Sequence, residues 1–414
     1  MVRVLHIADL HIGVENYGHF DVTRGMHTRL IDFLARFDQA IDIGLAAGVD
    51  LVLIAGDMFK NRNPPPRLQR EFAERIRRLH AHKIPVLMVV GNHDVAPGRD
   101  TANSVSVYEG LQFAGVDIAR KPAVYRYQTA HGALAIIAMP WIMREVFLSN
   151  NDALRLVGLS EQEVEILRVV ETYIADQTDI LLAEDPLRPI IVSYHGTVAG
   201  AVSGFEKQLT LGREIQLPQS VLTPMGVDYV ALGHVHKHQC LRQSPPVVYS
   251  GSIERIDFGE INEAKGCVLV AFDGKQAQWE FVPLDSRPFV EIAVDVQQSG
   301  EFPMERVELA ITRKTLTDAV VKIEITVAPA QKALVSERQI RQWCEQAGVA
   351  HVARIIIETA AQKESRIVDV TRTDDIPTPM VALEKYLRKK EQSEQELALI
   401  LDLGRTIIES RDGA

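Results

Sequence analysis

Five short stretches of the 414-residue chain carry side chains that metal ions favour: Asp9 and His11 in IADLH, Asp57 in IAGD, Asn92, His93 and Asp94 in VVGNHD, His195 in SYHG, and His234 and His236 in GHVH. Gathering imidazoles, carboxylates and an amide at the ends of apolar runs costs stability unless they are paired or bound, so chemistry is the simpler reason for them. Nitrogen and oxygen donors without thiolate suit manganese, zinc or iron better than a thiol-seeking metal or an all-oxygen calcium site. The number of candidates suggests two ions. With a bridging carboxylate, two dications can sit roughly 3.5–4 Å apart, activate water, polarise a phosphoryl oxygen and stabilise a leaving oxygen. Glycines at 56, 91, 196 and 233 fit the close backbone approach that such a site requires.

These residues need elements to bring them together. Apolar runs at Val2 to Ile7, Leu51 to Ala55, Val86 to Val90, Leu134 to Ala138, Ile190 to Val192, Tyr229 to Leu232 and Val247 to Tyr249 have the length of buried strands. Met26, Leu30, Phe33, Leu34, Phe37, Ile41 and Leu45 recur at helical spacing, as do Leu68, Phe72, Ile76 and Leu79. The pattern predicts a layered α/β domain in which helices cover the sheet. Ligands in such folds collect beyond the carboxyl ends of the strands, which is where every candidate stands. Side chains at i and i+2 share a face of an extended segment, so Asp9 with His11 and His234 with His236 are expected to project as strand pairs. His6 is expected to point the other way, into the fold.

From about Asp285 the texture changes to FVEIAV, VVKIEITV and HVARIIIE, with a helical stretch from Ser336 to Gly348. Beyond TDDIPTP, Ala382 to Lys390 and Glu394 to Glu409 read as helices, with Ser393 and Glu396 at capping-box spacing. The predicted division is a catalytic domain over 1–284, a small α+β unit over 285–360, and a linker with terminal helices over 361–414.

A net charge of −10 argues against binding nucleic acid by bulk electrostatics alone. Apolar content of 46% with 24% charged residues is that of a globular protein, and the longest apolar runs are too short to span a bilayer. The N-terminus has no secretory-leader pattern, so a cytoplasmic location is expected. Cys240, Cys267 and Cys344 are isolated in sequence and read as reduced thiols. The basic stretch RLQREFAERIRRLHAHK reads as a solvated helix face rather than a DNA patch.

The ordered blocks D-x-H, G-D, G-N-H-D, H and G-H-x-H resemble the signature of the calcineurin-like metallophosphoesterases, and each occurs here in that order. The resemblance implies a four-layer β-sandwich flanked by helices. It places Asp9, His11, Asp57 and His236 on one metal and Asp57, Asn92, His195 and His234 on the other, with Asp57 as the bridge. His93 would lie near the scissile phosphate, and Asp94 would orient it by hydrogen bonding. Asp57 is followed by MFKNRN, without the Asp-Arg-Gly usual in the protein phosphatases of this group.

LHIADLHIG, IAGDMF followed by PPP, DYVALGHVHKH, YSGSIERIDFGE and PTPMVALEKYL look like the SbcD family, and this likeness runs over nearly the whole chain. It implies a manganese-dependent nuclease with 3′ to 5′ exonuclease activity on duplex DNA and endonuclease activity on single strands and hairpins. It also implies a homodimer in complex with an SMC-like ATPase of the SbcC type, with 285–360 helping to seat DNA and the terminal helices docking on the ATPase coiled coil. An apolar stripe of Leu397, Ile400, Leu401, Ile407 and Ile408 suits that docking or packing on its own domain. Lys60 stands where archaeal and eukaryotic relatives tend to have His. Two other readings share some of these features: a phosphodiesterase for cyclic nucleotides or nucleotide sugars, and a metal-bound scaffold for a partner ATPase. The intact ligand set and His93 argue against the scaffold.

Overall fold

A computed structural model of the chain describes residues 1–95, 114–149, 156–202, 214–300 and 302–360, together with 105, 107, 108, 204, 362, 400, 401 and 403. Most of the two expected terminal helices, with Ser393, Glu396, Leu397, Ile407 and Ile408, lies outside the described residues. The chain forms two compact units. One holds Met1–Val290, Leu316–Val321 and Gly348–Ala353, and the other Glu291–Thr315, Lys322–Ala347 and the residues from Arg354 on.

In the first unit the strands are β1 (Val2–Ile7), the short ribbon β2 and β3 (Phe20–Asp21, Met26–His27), β4 (Leu51–Ile54), β5 (Val86–Val89), β6 (Val116–Ala119), β7 (Ala123–Thr129), β8 (Gly132–Met139), β9 (Ile190–His195), β10 (Tyr229–Gly233), β11 (Gln239–Gln243), β12 (Pro246–Tyr249), β13 (Gly266–Asp273) and β14 (Gln276–Pro283). They build two six-stranded sheets, ordered β14-β13-β1-β4-β5-β6 and β11-β12-β10-β9-β8-β7. The strands β1, β4 and β5 are mutually parallel neighbours, as are β9 and β10, so their carboxyl ends open together.

Both faces of these strands are apolar, and the period of two sorts them. Leu5, Ile7, Val52, Ile54, Val86 and Met88 pack under α1 (Thr28–Ala47) and α2 (Pro66–Ala81). Val4, Leu53 and Leu87 on the opposite face meet Ile136, Ile191 and Ala231 of the second sheet. The far side of the second sheet is covered by the helix Leu159–Glu184 through Ile166, Val170 and Ile174. The result is the helix, sheet, sheet, helix sandwich expected from the sequence. His6 is fully buried between the sheets: Nδ1 lies 3.1 Å from the Tyr229 hydroxyl and Nε2 3.1 Å from the Leu232 carbonyl. Burial lowers its pKa to about 3, so it stays neutral, and the carbonyl fixes the proton on Nε2.

Several arginines of α2 are paired with acidic side chains. Arg75 pairs with Asp38 at 2.6 Å and with Glu71 at 3.5 Å, and Arg78 pairs with Asp42. Exposed pairs such as Arg78 with Asp42 contribute at most about 1 kcal/mol each, so apolar burial carries the helix.

The second unit holds the helices Pro303–Thr312 and Glu337–Gln346 and most of a three-stranded sheet in sequence order, from β15 (Phe289–Asp295), β16 (Val320–Val327) and β17 (His351–Thr359). Among the described residues no helix is long and apolar enough to cross a membrane.

Candidate metal centre

Asp9 and His11 follow β1, Asp57 follows β4, Asn92 and His93 follow β5, His195 ends β9, and His234 and His236 follow β10. These residues converge at one end of the sandwich. Potential donor atoms form three groups, each within 4.8 Å: Asp9, His11 and His236; His11, Asp57 and His93; and Asp57, His195 and His234.

The expected pairing of side chains along extended strands is corrected by the backbone. β1 stops at Ile7 and β10 at Gly233. Asp9, His11, Asp57 and His234 have φ of 53°, 42°, 54° and 103°, the left-handed region that non-glycine residues avoid. Each costs of order 1–3 kcal/mol, and such outliers persist where the surroundings impose them. Tight turns rather than the pleat aim these ligands. At Gly56, which has φ of 103°, a Cβ would lie 2.0 Å from His195 Nδ1, and at Gly91 a Cβ would lie 2.2 Å from Asp57 Oδ1.

Asp57 stands between the groups. Its Oδ2 is 3.6 Å from His11 Nε2 and 3.4 Å from His195 Nε2, while Oδ1 accepts the His93 amide at 2.9 Å. Burial alone would raise its pKa, but the His195 imidazole beside it overrides this and holds the carboxylate well below its usual range. Asp9 accepts the His234 amide at 3.0 Å, which ties the first sheet to the second. His11 Nε2 and His236 Nε2 are 3.0 Å apart. The first of these imidazoles is pushed below its ordinary pKa by burial, so it offers a lone pair.

The buried carboxylate of Asp94 lies within 3.4 Å of the amides of Met58, Phe59 and Gly91, and so braces the loops that carry Asp57 and Asn92. The Lys60 carbonyl lies 2.8 Å from His93 Nδ1. Because a carbonyl only accepts, the proton sits on Nδ1 and Nε2 is left for chemistry.

Three further side chains shape the site. Glu260 Oε1 lies 2.8 Å from His236 Nδ1, and Glu214 Oε1 lies 2.6 Å from His234 Nε2. The Trp141 indole lies 5.2 Å from the His234 ring and 6.3 Å from that of His195. Sequence reasoning missed all three. Two carboxylates among 55 acidic residues stand out only once their imidazole partners are located.

The donor set fits metal. Ala55 O is 2.7 Å from His195 Nδ1, which keeps the proton there, and the charge of Glu214 favours one at His234 Nε2. The inward nitrogens, His195 Nε2 and His234 Nδ1, lie 3.0 and 3.1 Å from Asn92 Oδ1. With the amide placed this way, lone pairs converge on one point and need a cation or a proton between them. Burial by itself lowers the His195 pKa, but Asp57, then Asp9 and the Ala55 carbonyl, lift it to about 9. In the metal-free fold this imidazole therefore holds an extra proton at neutral pH, which a dication must displace. Apparent metal affinity should rise with pH up to about 9 and then level off. Calorimetry at pH 7 in buffers of different ionisation enthalpy should register the released proton. The stabilisation that this imidazolium gives the metal-free fold is fully present below its unfolded pKa of 6.5 and is lost as pH rises through about 9.

Residues 2–238 match the family model described as calcineurin-like phosphoesterase. The chain is 27% identical over 329 residues to SbcD, a component of the SbcCD nuclease, from Rhodobacter capsulatus, covering 77% of each. It is 28% identical over 313 residues to the DNA double-strand break repair protein Mre11 of Aeropyrum pernix, covering 72% of this chain and 65% of that protein. A third relative, SbcD of the Bacillus subtilis SbcCD nuclease, is 26% identical over 299 residues, covering 70% and 72%.

Proposed function

The chain belongs to the calcineurin-like phosphoesterase family, and from that premise we propose that it hydrolyses DNA phosphodiesters as the nuclease partner of an SbcC-type, coiled-coil ATPase in double-strand break repair. The relatives named above support the substrate. The observation that carries the chemistry is Asp57, whose carboxylate lies within 3.6 Å of imidazoles from two separate donor groups.

In this reading Asp9, His11, Asp57 and His236 hold one ion and Asp57, Asn92, His195 and His234 the other, with manganese as the working metal. Bound there, the pair supplies Lewis acidity toward the phosphoryl oxygens and an activated water. The chain's own residues do the rest. His93, with Nδ1 held by the Lys60 carbonyl and its ring edge-on to His11 at 4.9 Å, turns Nε2 to the substrate; as the imidazolium, with a second proton on Nε2, it stabilises charge on the phosphate or gives that proton to the leaving oxygen. Trp141 walls the His195 and His234 side against water.

Beside His93 opens a pocket lined by Lys60, Asn61, Arg62, Asn63 and Asn92. Its two cations suit the phosphates that flank a scissile bond in a polymer, which a small diester lacks. They give a chain of net charge −10 a local hold on DNA where it matters. The reading also includes 3′ to 5′ exonuclease action on duplexes, endonuclease action on single strands and hairpins, a homodimer, a DNA-seating role for 285–360 and ATPase docking by 361–414.

The test is hydrolysis in Mn²⁺, with and without the ATPase, of linear duplex, hairpin, a cyclic nucleotide and bis(p-nitrophenyl) phosphate. DNA should be the preferred substrate. Replacing Lys60 and Arg62 by Ala should raise KM for DNA and flatten its salt dependence by about one unit of slope per lost phosphate contact, while leaving the small diester unaffected. Faster turnover of the cyclic nucleotide than of any DNA sinks this reading in favour of a small-molecule phosphodiesterase.

A further inference from the structure

The two imidazoles of the GHVH segment present opposite nitrogens to the centre. A carboxylate only accepts, so Glu260 at 2.8 Å puts the proton of His236 on Nδ1 and leaves its Nε2 facing His11. Glu214, whose Oε1 makes a 2.6 Å ion-pair contact with His234 Nε2, favours a proton on that nitrogen by its charge and leaves Nδ1 facing Asn92. Either ring, freed of its glutamate, could turn over or exchange tautomers and lose its inward lone pair.

Glu260 is itself fixed. It is buried, and its Oε2 accepts from the Ile256 amide and from Lys265 Nζ, both at 2.9 Å. Lys265, also buried, donates to the His236 carbonyl at 3.1 Å and pairs with Glu263 at 2.8 Å. The lysine thus holds the backbone of His236 directly and its ring through Glu260. Glu214 is more open, with 15% of its side chain exposed.

We propose that Glu260 and Glu214 are positioning residues that set the affinities of the two metal ions separately, Glu260 through His236 for the group with Asp9 and His11, and Glu214 through His234 for the group with Asp57 and His195. This rests on the two-ion reading given above and assigns a separate control to each half of it.

The test is Mn²⁺ titration of the metal-stripped full chain, followed by calorimetry and electron paramagnetic resonance. The unaltered chain should take two ions. Glu260→Gln should weaken one of them about 10–100-fold and leave the other within about twofold, and Glu214→Gln should do the same to the other ion. Added to His11→Ala, Glu260→Gln should cost the remaining ion nothing; added to His195→Ala, it should weaken the ion that remains by the same factor of about 10–100. Equal weakening of both ions by each single variant, or no change in either, overturns the proposal. Lys265 keeps Glu263 in Glu260→Gln, so the fold should survive; if it does not, the selectivity of Glu214→Gln decides the matter alone. No substrate enters this measurement. Two tight ions without DNA cleavage would sink the nuclease reading and leave this one standing, whereas DNA cleavage with unaltered ion binding in both variants would do the reverse.

Discussion

Replacing Asp57 by Ala should empty both metal positions at once and reduce phosphodiester hydrolysis to background, a larger loss than truncation of any other single donor. Asp57 is shared by two of the three donor groups, and its Oδ2 lies between imidazoles that follow strands of different sheets. Truncation also leaves the buried His195 without its main counter-charge, and breaking a buried pair costs about 3–5 kcal/mol. The shorter side chain therefore threatens folding as well as binding. Asp57→Asn keeps the shape and separates the two effects. Elemental analysis after dialysis against Mn²⁺, with melting curves of the metal-free proteins, gives the readout. Retention of two ions by either variant would remove Asp57 from its bridging role.

His93→Ala should have the opposite signature, with metal content unchanged and kcat lowered by about 10²–10⁴, the range expected for losing a positioned acid or electrostatic stabiliser. The geometry makes this a sharp distinction, because His93 belongs to a donor group with His11 and Asp57 and could in principle be a ligand. Its Nδ1 is occupied by the Lys60 carbonyl at 2.8 Å, and its backbone amide is spent on Asp57. KM for DNA should move little, since the flanking cations are untouched. Loss of a bound ion in this variant would make His93 a ligand and transfer the proton role elsewhere.

The sandwich was legible because its central strands are short apolar runs buried on both faces, and α1 and α2 carry regular apolar stripes. The helix Leu159–Glu184 was hidden, although its buried positions Gln162, Ile166, Val170, Ile174, Thr178 and Leu181 are evenly spaced. Two of them are polar, and Val164 and Ile180 lie exposed on the outer side, so the contrast that marks an amphipathic helix is blurred. The hairpin of β13 and β14 turns through Gly274, with φ of 58°, and Lys275, between the paired Asp273 and Gln276; a glycine opening a two-residue loop signals such turns, but alternating polar residues along β14 masked it. At the centre, the convergence of these residues could be read from their places at the strand ends but the aim of their side chains could not, because left-handed backbone at Asp9, His11, Asp57 and His234 comes from surrounding contacts rather than local propensity. Partners such as Glu214, Glu260 and the Lys60 carbonyl follow from the fold alone.

His6 and the Asp9 carboxylate both reach from the first sheet to the second, and two of the three donor groups straddle the same division. A metal ion seated in either of those two groups would act as a rivet across a seam that is otherwise closed mainly by aliphatic contacts. Neither of the two is complete within one sheet, so uptake there would double as a report that assembly is complete, and chelation should loosen amide protection first along β1 and β10.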